Sequence, residues 1–381
     1  MKILFSHNGR RGKDGWGRFF YLAKAMVSLG HDVVYLTTRE EFSMFKVVKS
    51  IEHGVVVLSF SDFMPSKLKS SGFGSISVVR KSLYALLNEF DLVISHNCHR
   101  PSGLPCLINS RIYNSIHVAE WWDYYGRGGY FDNKPFLFKL LFGRRELNGE
   151  IKVRKAADIV VVLSEEMRER ALNEGISNVI VVHGGCLTNE IRPSIPSIKS
   201  KEKIVFGYIG MSNSEVSNIL PFFQAIRKSE FRDKFEVVTY GSFIDQKYID
   251  EYDLASCIEE RGWLDYLSDS TGLDDVDVFV QLLDNSRVSR AGWPNKVGDY
   301  LAYGKPILLH PYGDLEKFVE MYPKGFIVVK YDYKDIMEKI HDLLEGKYDL
   351  YKMGRANRQL AEENTWEHKA QDLLELYYQL Y

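Results

Sequence analysis

The chain has 381 residues, beyond the roughly 250–300 at which a single hydrophobic core stops growing, so two domains are expected. With 45% hydrophobic and 26% charged residues and a net charge of -2, the composition is that of a soluble globular protein and carries no global signal for nucleic acid. No apolar run approaches the roughly 18 residues of a membrane span.

The opening "MKILFSHNG" reads as a strand, too short in its apolar run for a signal-peptide core. A helix follows near 15–29, and "DVVYLTT", "GVVVLSF", "DLVISH" and "RIYNSIH" are further predicted strands. A long helical pattern covers about 135–156. It is followed by "DIVVVLS", a helix at about 164–174, and "NVIVVHGG". Strands alternating with helices predict parallel βαβ units in a doubly wound α/β fold. Runs such as "IVVVL" are apolar throughout, as expected of strands covered on both faces. The pattern breaks at "IRPSIPSIKSKEK", residues 191–203, which reads as an interdomain linker. It restarts with "KIVFGYIG", a helix near 214–228, "FEVVTYG", "CIEERG", "VDVFVQLL", a helix at 294–303, "PILLH" and "GFIVV", and three helical patterns finish the chain. Cys98, Cys106, Cys186 and Cys257 lack metal-ligand spacing and are expected to be reduced thiols of a cytoplasmic protein.

The strongest local signal is "PNKVGDYLAYGKPILLH", residues 294–310. Pro294 suits the first helical position, Gly304 the left-handed residue past the helix end, and Pro306 stops continuation. The free N–H groups at such a helix start favour an anion. Lys296 can add a mobile positive charge, and Asp299, an acceptor when ionised, suits a ribose diol. Plain dipole complementation by Asp299 and a solvated Lys296 explain the same letters about as well.

"SRAGWPNKVGDYLAYGKPIL" resembles the donor-site signature of GT-B glycosyltransferases, in particular glycosyltransferase family 4. The likeness covers most of the chain. "GWGRFFYLAKAMVSLGHDVVYLTT" is similar to the family's opening glycine-rich loop, helix and strand, and "AADIVVVLSEEMRERALNEG" to its "AD-x-V-x-x-x-S" segment. "VVHGGCLTNEIRP" stands where the family has Asn-Gly-Val-Asp and a later Arg-Pro, and "NTWEHKAQDLLELYYQLY" resembles its terminal helix. The resemblance implies two Rossmann-like domains facing a central cleft. Residues 1–190 would be the acceptor domain, joined by the C-terminal helix 366–381 crossing back, and 204–365 the donor domain.

The resemblance also implies a hexosyltransferase, retaining and metal-independent, that uses a nucleotide-diphosphate sugar. Asp299 would bind the ribose, Pro294, Asn295 and Lys296 the diphosphate, and Gly262 and Trp263 the nucleobase. The strand-end loop at Gly210, with Ser212 and Asn213, would face the phosphates, although Ser212 is equally well a plain N-cap. Two departures from the family stand out. Ala291 occupies the place of a Glu that contacts the donor sugar. The loop after Gly210 lacks the family's Arg and Lys, for which Arg287, Arg290 and Lys296 are the nearest substitutes. Asp275 and Asp277 have Asp-x-Asp spacing, but they match the family's strand entry better than a metal site.

On the first domain, "NSIHVAEWWDYYGRGGYF" supplies His117 and Glu120 as catalytic candidates, with His117 expected at a strand's carboxyl end and Asp123 beside them. Trp121, Trp122, Tyr124 and Tyr125 offer faces for sugar stacking, or ordinary packing. Gly15, in the glycine-rich "HNGRRGKDGWGRF", is an acceptor-side candidate, where a solvated loop is the plainer reading. "KPFLFKLLFGRRE", residues 134–146, pairs apolar and basic residues and suggests peripheral membrane contact, against the commoner reading of a sheet-covering helix. Two rival functions remain, a sugar-nucleotide epimerase of similar fold and a nucleotide-sugar binding protein without transfer.

Overall fold

The computed structural model describes every residue except 12–16, 43–45, 65–74, 98–99, 197–202, 211–212, 242–243, 266, 268–270 and 381. The chain divides into two compact units. The first comprises Met1–Gly184, Arg290–Trp293 and Trp366–Tyr381, and the second Gly185–Ser289 and Pro294–Thr365.

The first unit is built on an eight-stranded sheet in the order β3-β4-β2-β1-β5-β6-β7-β8. Its strands are β1 (Lys2–Arg11), β2 (Asp32–Phe42), β3 (Val47–Glu52), β4 (Val55–Asp62), β5 (Leu92–Ser95), β6 (Ile116–Trp121), β7 (Ile159–Val162) and β8 (Val179–Val181). All neighbours are parallel except β3 and β4, an antiparallel edge pair joined by His53 and Gly54. β5 and β7 are buried at every residue, which explains their unbroken apolar letters. Helix Arg18–Ser28 buries Phe19, Phe20, Leu22, Ala23 and Met26. The C-terminal helix Trp366–Leu380 packs on it, with the Tyr21 and Trp366 rings 5.9 Å apart.

The second unit holds a six-stranded parallel sheet in the order β11-β10-β9-β12-β13-β14. These are β9 (Ile204–Gly210), β10 (Phe235–Gly241), β11 (Ile258–Glu260), β12 (Val278–Leu282), β13 (Ile307–His310) and β14 (Phe326–Val328). Its core joins Phe206, Phe222, Phe235, Val278 and Val280 to Ile336 and Ile340 of the later helices. Residues 191–196, the described start of the predicted linker, are held on this unit. Ile191 is buried, and the Ser194 N–H donates to the Tyr303 carbonyl.

One predicted element is corrected. "RIYNSIH" is not a strand; helix Arg100–Tyr113 runs through its start, and β6 begins only at Ile116. His117 is therefore the second residue of its strand, at the amino end, rather than at the carboxyl end.

Candidate functional site

In open α/β sheets, ligands gather outside the carboxyl ends of strands where the strand order reverses. In the first sheet that point lies between β1 and β5. β1 loses register between Ser6 and Arg10, so His7, Asn8 and Gly9 leave the regular ladder there. The His7 imidazole accepts from the Gly9 N–H at 2.8 Å, and a side chain at position 9 would collide with that ring. At the end of β5, His96 is hydrogen-bonded to Asn8 (Nδ1 to Oδ1, 2.6 Å), and its ring lies 4.0 Å from that of His7 and 4.2 Å from that of Trp122. Asn97 adopts a left-handed backbone (φ 44°) and accepts the Trp122 N–H at 3.0 Å. It also donates to Asp123.

The end of β6 supplies the acids. Glu120 is fully buried and both its oxygens are used, one 3.4 Å from Arg18 and the other accepting the Trp122 indole N–H at 2.7 Å. Burial pushes its carboxyl up, against Arg18 and the Trp122 donor. Arg18, at the start of its helix, also donates to the main-chain carbonyls of Val182 and His183. Asp123 is only partly buried, and burial raises its carboxyl to about 6 against the Asn97 hydrogen bond. It can therefore exchange a proton near neutral pH, whereas Glu120 serves as the fixed partner of Arg18.

Three first-unit expectations change. His117 is buried, its Nε2 is 2.9 Å from the Ser95 hydroxyl, and its Nδ1 has no partner among the described residues. Burial lowers its pKa to about 3, so it is a neutral core imidazole. Trp121 is fully buried, with the guanidinium groups of Arg154 and Arg170 at 4.2 and 4.5 Å from its ring centre, and it offers no face to a sugar. Tyr124 is covered by Arg170 at 4.1 Å and packs on the same cluster. Trp122 remains as the partly exposed aromatic at the strand end. Gly15 lies outside the described residues. Sequence reasoning missed Arg18, His96 and Asn97. Their signal is positional, since each stands just before or after an element whose strand-order neighbours only the topology reveals.

The second sheet reverses between β9 and β12. Helix Asn295–Tyr303 starts there, with Pro294 at the cap rather than the first turn and Gly304 left-handed at its end. The Lys296 ammonium donates to the Ile209 carbonyl at 2.7 Å and lies 5.2 Å from the Tyr208 ring centre. The Tyr300 hydroxyl accepts from the Ile209 N–H at 3.0 Å, while its ring stacks on Phe279 at 3.9 Å. These bonds fix the amino end of the helix against the end of β9. The Asn295 side-chain oxygen is enclosed there without a partner among the described residues.

Along the same edge Gly210 pairs with Gly241, whose N–H donates to the Gly262 carbonyl at 2.6 Å. Gly262 has φ 75°, and Trp263 beside it is exposed. The fold thus brings Gly210, Gly262, Trp263, Pro294, Asn295 and Lys296 to one edge of one sheet, with Asp299 one turn further along the helix. Asn213 begins helix Asn213–Lys228 directly after β9; Ser212 lies outside the described residues. Arg290 belongs to the first unit, 3.6 Å from Glu166. Ala291 is buried there and its carbonyl accepts the Ser164 hydroxyl, so nothing at that position reaches outward. Asp275 grips Arg261 at 2.6 Å, and Asp277 accepts the Val205 N–H at 3.0 Å, which are structural roles at strand entries.

No protein-family model and no curated protein matches the chain. Solved structures do. Sucrose-phosphate synthase from Thermosynechococcus elongatus is 16% identical with a TM-score of 0.73, covering 100% of this chain and 98% of its own. Anabaena HepE in complex with UDP-glucose is 14% identical with a TM-score of 0.67 and full coverage of both chains. The lipopolysaccharide outer core galactosyltransferase WaaB is 13% identical with a TM-score of 0.61, covering 98% of this chain and 99% of its own. At such identities the likeness establishes the fold, that of GT-B glycosyltransferases.

Proposed function

We propose that this chain is a glycosyltransferase that moves a sugar from a nucleotide-diphosphate sugar to an acceptor. The observation that carries the reading is the junction of β9 with helix Asn295–Tyr303. There the amides of a helix start and the Lys296 ammonium meet at the sheet's reversal point. Such a group of donors suits a diphosphate. Asp299, on the same helix, takes the ribose hydroxyls, and Gly262 and Trp263 take the base. The solved structures of HepE in complex with UDP-glucose, and of an E. coli protein bound with UDP-2-fluoro glucose, support a uridine-linked donor.

Transfer breaks the bond from the anomeric carbon to the diphosphate, forms one from that carbon to the acceptor oxygen, and leaves charge on the departing diphosphate. Positioning and preorganised donors supply the acceleration, one such donor being worth about 2.7–4 kcal/mol in other enzymes. In the first unit, Asp123 takes the proton of the acceptor hydroxyl, and Trp122 lies against the acceptor. The family 4 motifs favour a retaining, metal-independent hexosyl transfer. A second reading follows from Ala291, whose buried position leaves the donor sugar without the carboxylate the family motif provides: a protein that binds the nucleotide sugar without transferring it. Melting shifts across a panel of sugar nucleotides test both. No shift with any of them overturns both readings. A shift without release of nucleoside diphosphate in the presence of acceptor sugars selects the second.

A further inference from the structure

The helix Phe136–Lys155 turns large apolar side chains outward in its first two turns, the wrong sense for a sheet cover. Among the described residues, Phe136, Leu137, Leu140 and Leu141 are 78%, 65%, 68% and 63% exposed. Their spacing of one, four and five places them on a single face, the face that also carries the exposed Arg144 and Arg145. The opposite side faces the protein. Gly143 is buried under the Phe131 ring, and Phe138 and Phe142 pair with ring centres 5.5 Å apart. The far half of the helix is pinned to the first-unit core, because Glu150 accepts the Trp121 indole N–H at 3.0 Å and pairs with Arg170 at 3.0 Å. A soluble surface rarely keeps four large apolar side chains together without a use for them.

The charge pattern selects the occupant. Residues 134–146 hold four basic side chains, Lys134, Lys139, Arg144 and Arg145, against a single acid at the segment's end, the half-buried Glu146 near Arg145 and Lys134. Lys139 is tied to the Asp132 carbonyl at 2.9 Å, which keeps its charge at the rim of the patch. A two-fold interface repeats the same patch on both sides, so a second copy of the chain on this face would gather both arginine pairs into one interface. A negatively charged lipid surface satisfies both halves of the pattern. The leucines and Phe136 enter the boundary between headgroups and acyl chains, while the arginines meet the headgroup phosphates. Among the described residues no helix is long and apolar enough to cross a membrane, so attachment would be peripheral.

We propose that the first two turns of helix Phe136–Lys155 dock this protein onto an anionic membrane surface. The proposal does not depend on the glycosyltransferase reading, and its test needs no substrate. The full chain is sedimented with vesicles of phosphatidylcholine alone and of phosphatidylcholine mixed with phosphatidylglycerol, at low and high salt. The wild type is expected to partition onto the mixed vesicles and to be released by salt. Phe136→Ser/Leu140→Ser and Arg144→Gln/Arg145→Gln should each lower the partition by at least about tenfold, on the order of fivefold per basic side chain removed. Both pairs are exposed, so their urea unfolding midpoints should match the wild type and separate lost docking from lost folding. Absence of wild-type binding to the mixed vesicles overturns the proposal, as does equal binding by wild type and both variants. Self-association in lipid-free solution that Phe136→Ser/Leu140→Ser abolishes also overturns it, and assigns the face to a second copy.

Discussion

Arg18 and Glu120 are 102 residues apart in sequence and 3.4 Å apart in the fold, and neither side chain reaches solvent. The guanidinium also holds the carbonyls of Val182 and His183, so one side chain ties a helix start to the ends of two strands, β6 and β8. Removing one charge from such a pair leaves the other buried and uncompensated, which costs about 3–5 kcal/mol, whereas replacing both with apolar groups is often neutral or better. Glu120→Gln should therefore lower the urea unfolding free energy by about that much, and Arg18→Met/Glu120→Leu should recover most of it. A double variant no more stable than the single one would show that the pair's other partners, the carbonyls of Val182 and His183 and the Trp122 indole, carry the cost.

His117 makes stability sensitive to acid. Its pKa is about 3 in the folded protein against 6.5 for the free side chain, because burial disfavours the imidazolium. Between these values the unfolded chain binds a proton that the native state refuses. The stability held above pH 6.5 is then lost as pH falls toward 3, by up to about 1.4 kcal/mol per pH unit. Unfolding free energies measured at pH 7, 6 and 5 should fall more steeply for the wild type than for His117→Gln. Identical slopes would mean that the imidazole takes up its proton as readily in the native state as in the unfolded chain. The same variant should leave nucleotide binding unchanged, because His117 lies at the amino end of β6.

Asp123 carries the proposed proton transfer. Its carboxyl titrates at about 6, raised by burial and held back by Asn97. A base must be ionised to accept a proton, so turnover should fall as pH drops below about 6. Asp123→Asn should lose 10²–10⁴-fold in rate, roughly the contribution of a positioned acid or base. Its melting shift with the nucleotide sugar should match the wild type. A rate within a few-fold of wild type would move the base elsewhere.

Trp121 and Trp122 are adjacent letters with separate roles. Trp121 is enclosed by Arg154, Arg170 and Glu150, whereas Trp122 is partly open beside His96. Trp121→Ala should destabilise the fold by about 3–5 kcal/mol, as for other large core deletions. Trp122→Ala should be milder in stability and act on the acceptor, raising KM more than it changes the melting temperature. Thermal unfolding with acceptor titration separates the two. Equal stability losses would place both rings in the core.

How much of this was legible depended on range. Helix Asn295–Tyr303 was readable because its signals are local: Pro294 at the entrance, left-handed Gly304 at the exit, and apolar spacing between them. The apolar strands were readable for the same reason. Helix Arg100–Tyr113 was hidden by Pro105 and Gly103 within it, and its apolar tail was read as a strand, which displaced His117 by a whole strand length. Alternation along "NSIHVAEWWDYY" could not tell a Trp enclosed by two arginines from one at an open edge, because the arginines arrive from residues 154 and 170. The Arg18–Glu120 pair and the His7–His96 contact exist only once the strand order is known. Ala291 shows the converse: one letter flagged a departure from the family pattern, and the fold places that residue in a buried cluster of the first unit, its carbonyl bonded to Ser164.

The strongest test of the donor site falls on Lys296. Its ammonium is spent partly on the Ile209 carbonyl at the end of β9, so it both braces the helix start and lies where a diphosphate would meet the helix amides. Lys296→Met keeps most of the stem but removes the charge and the bond, while Lys296→Arg keeps a charge with different reach. A charge-assisted hydrogen bond contributes about 1.5–3 kcal/mol, so Lys296→Met should weaken nucleoside diphosphate binding by roughly 10–150-fold. Binding of the nucleoside without phosphates should change little. Asp299→Asn should weaken nucleoside and diphosphate alike, because its proposed partner is the ribose. Calorimetric titration of the wild type and each variant with both ligands gives a set of affinities whose pattern matters more than any one value. If Lys296→Met weakens nucleoside and diphosphate by the same factor, the lysine acts only as a brace for the helix, and the phosphates must bind elsewhere on the sheet edge.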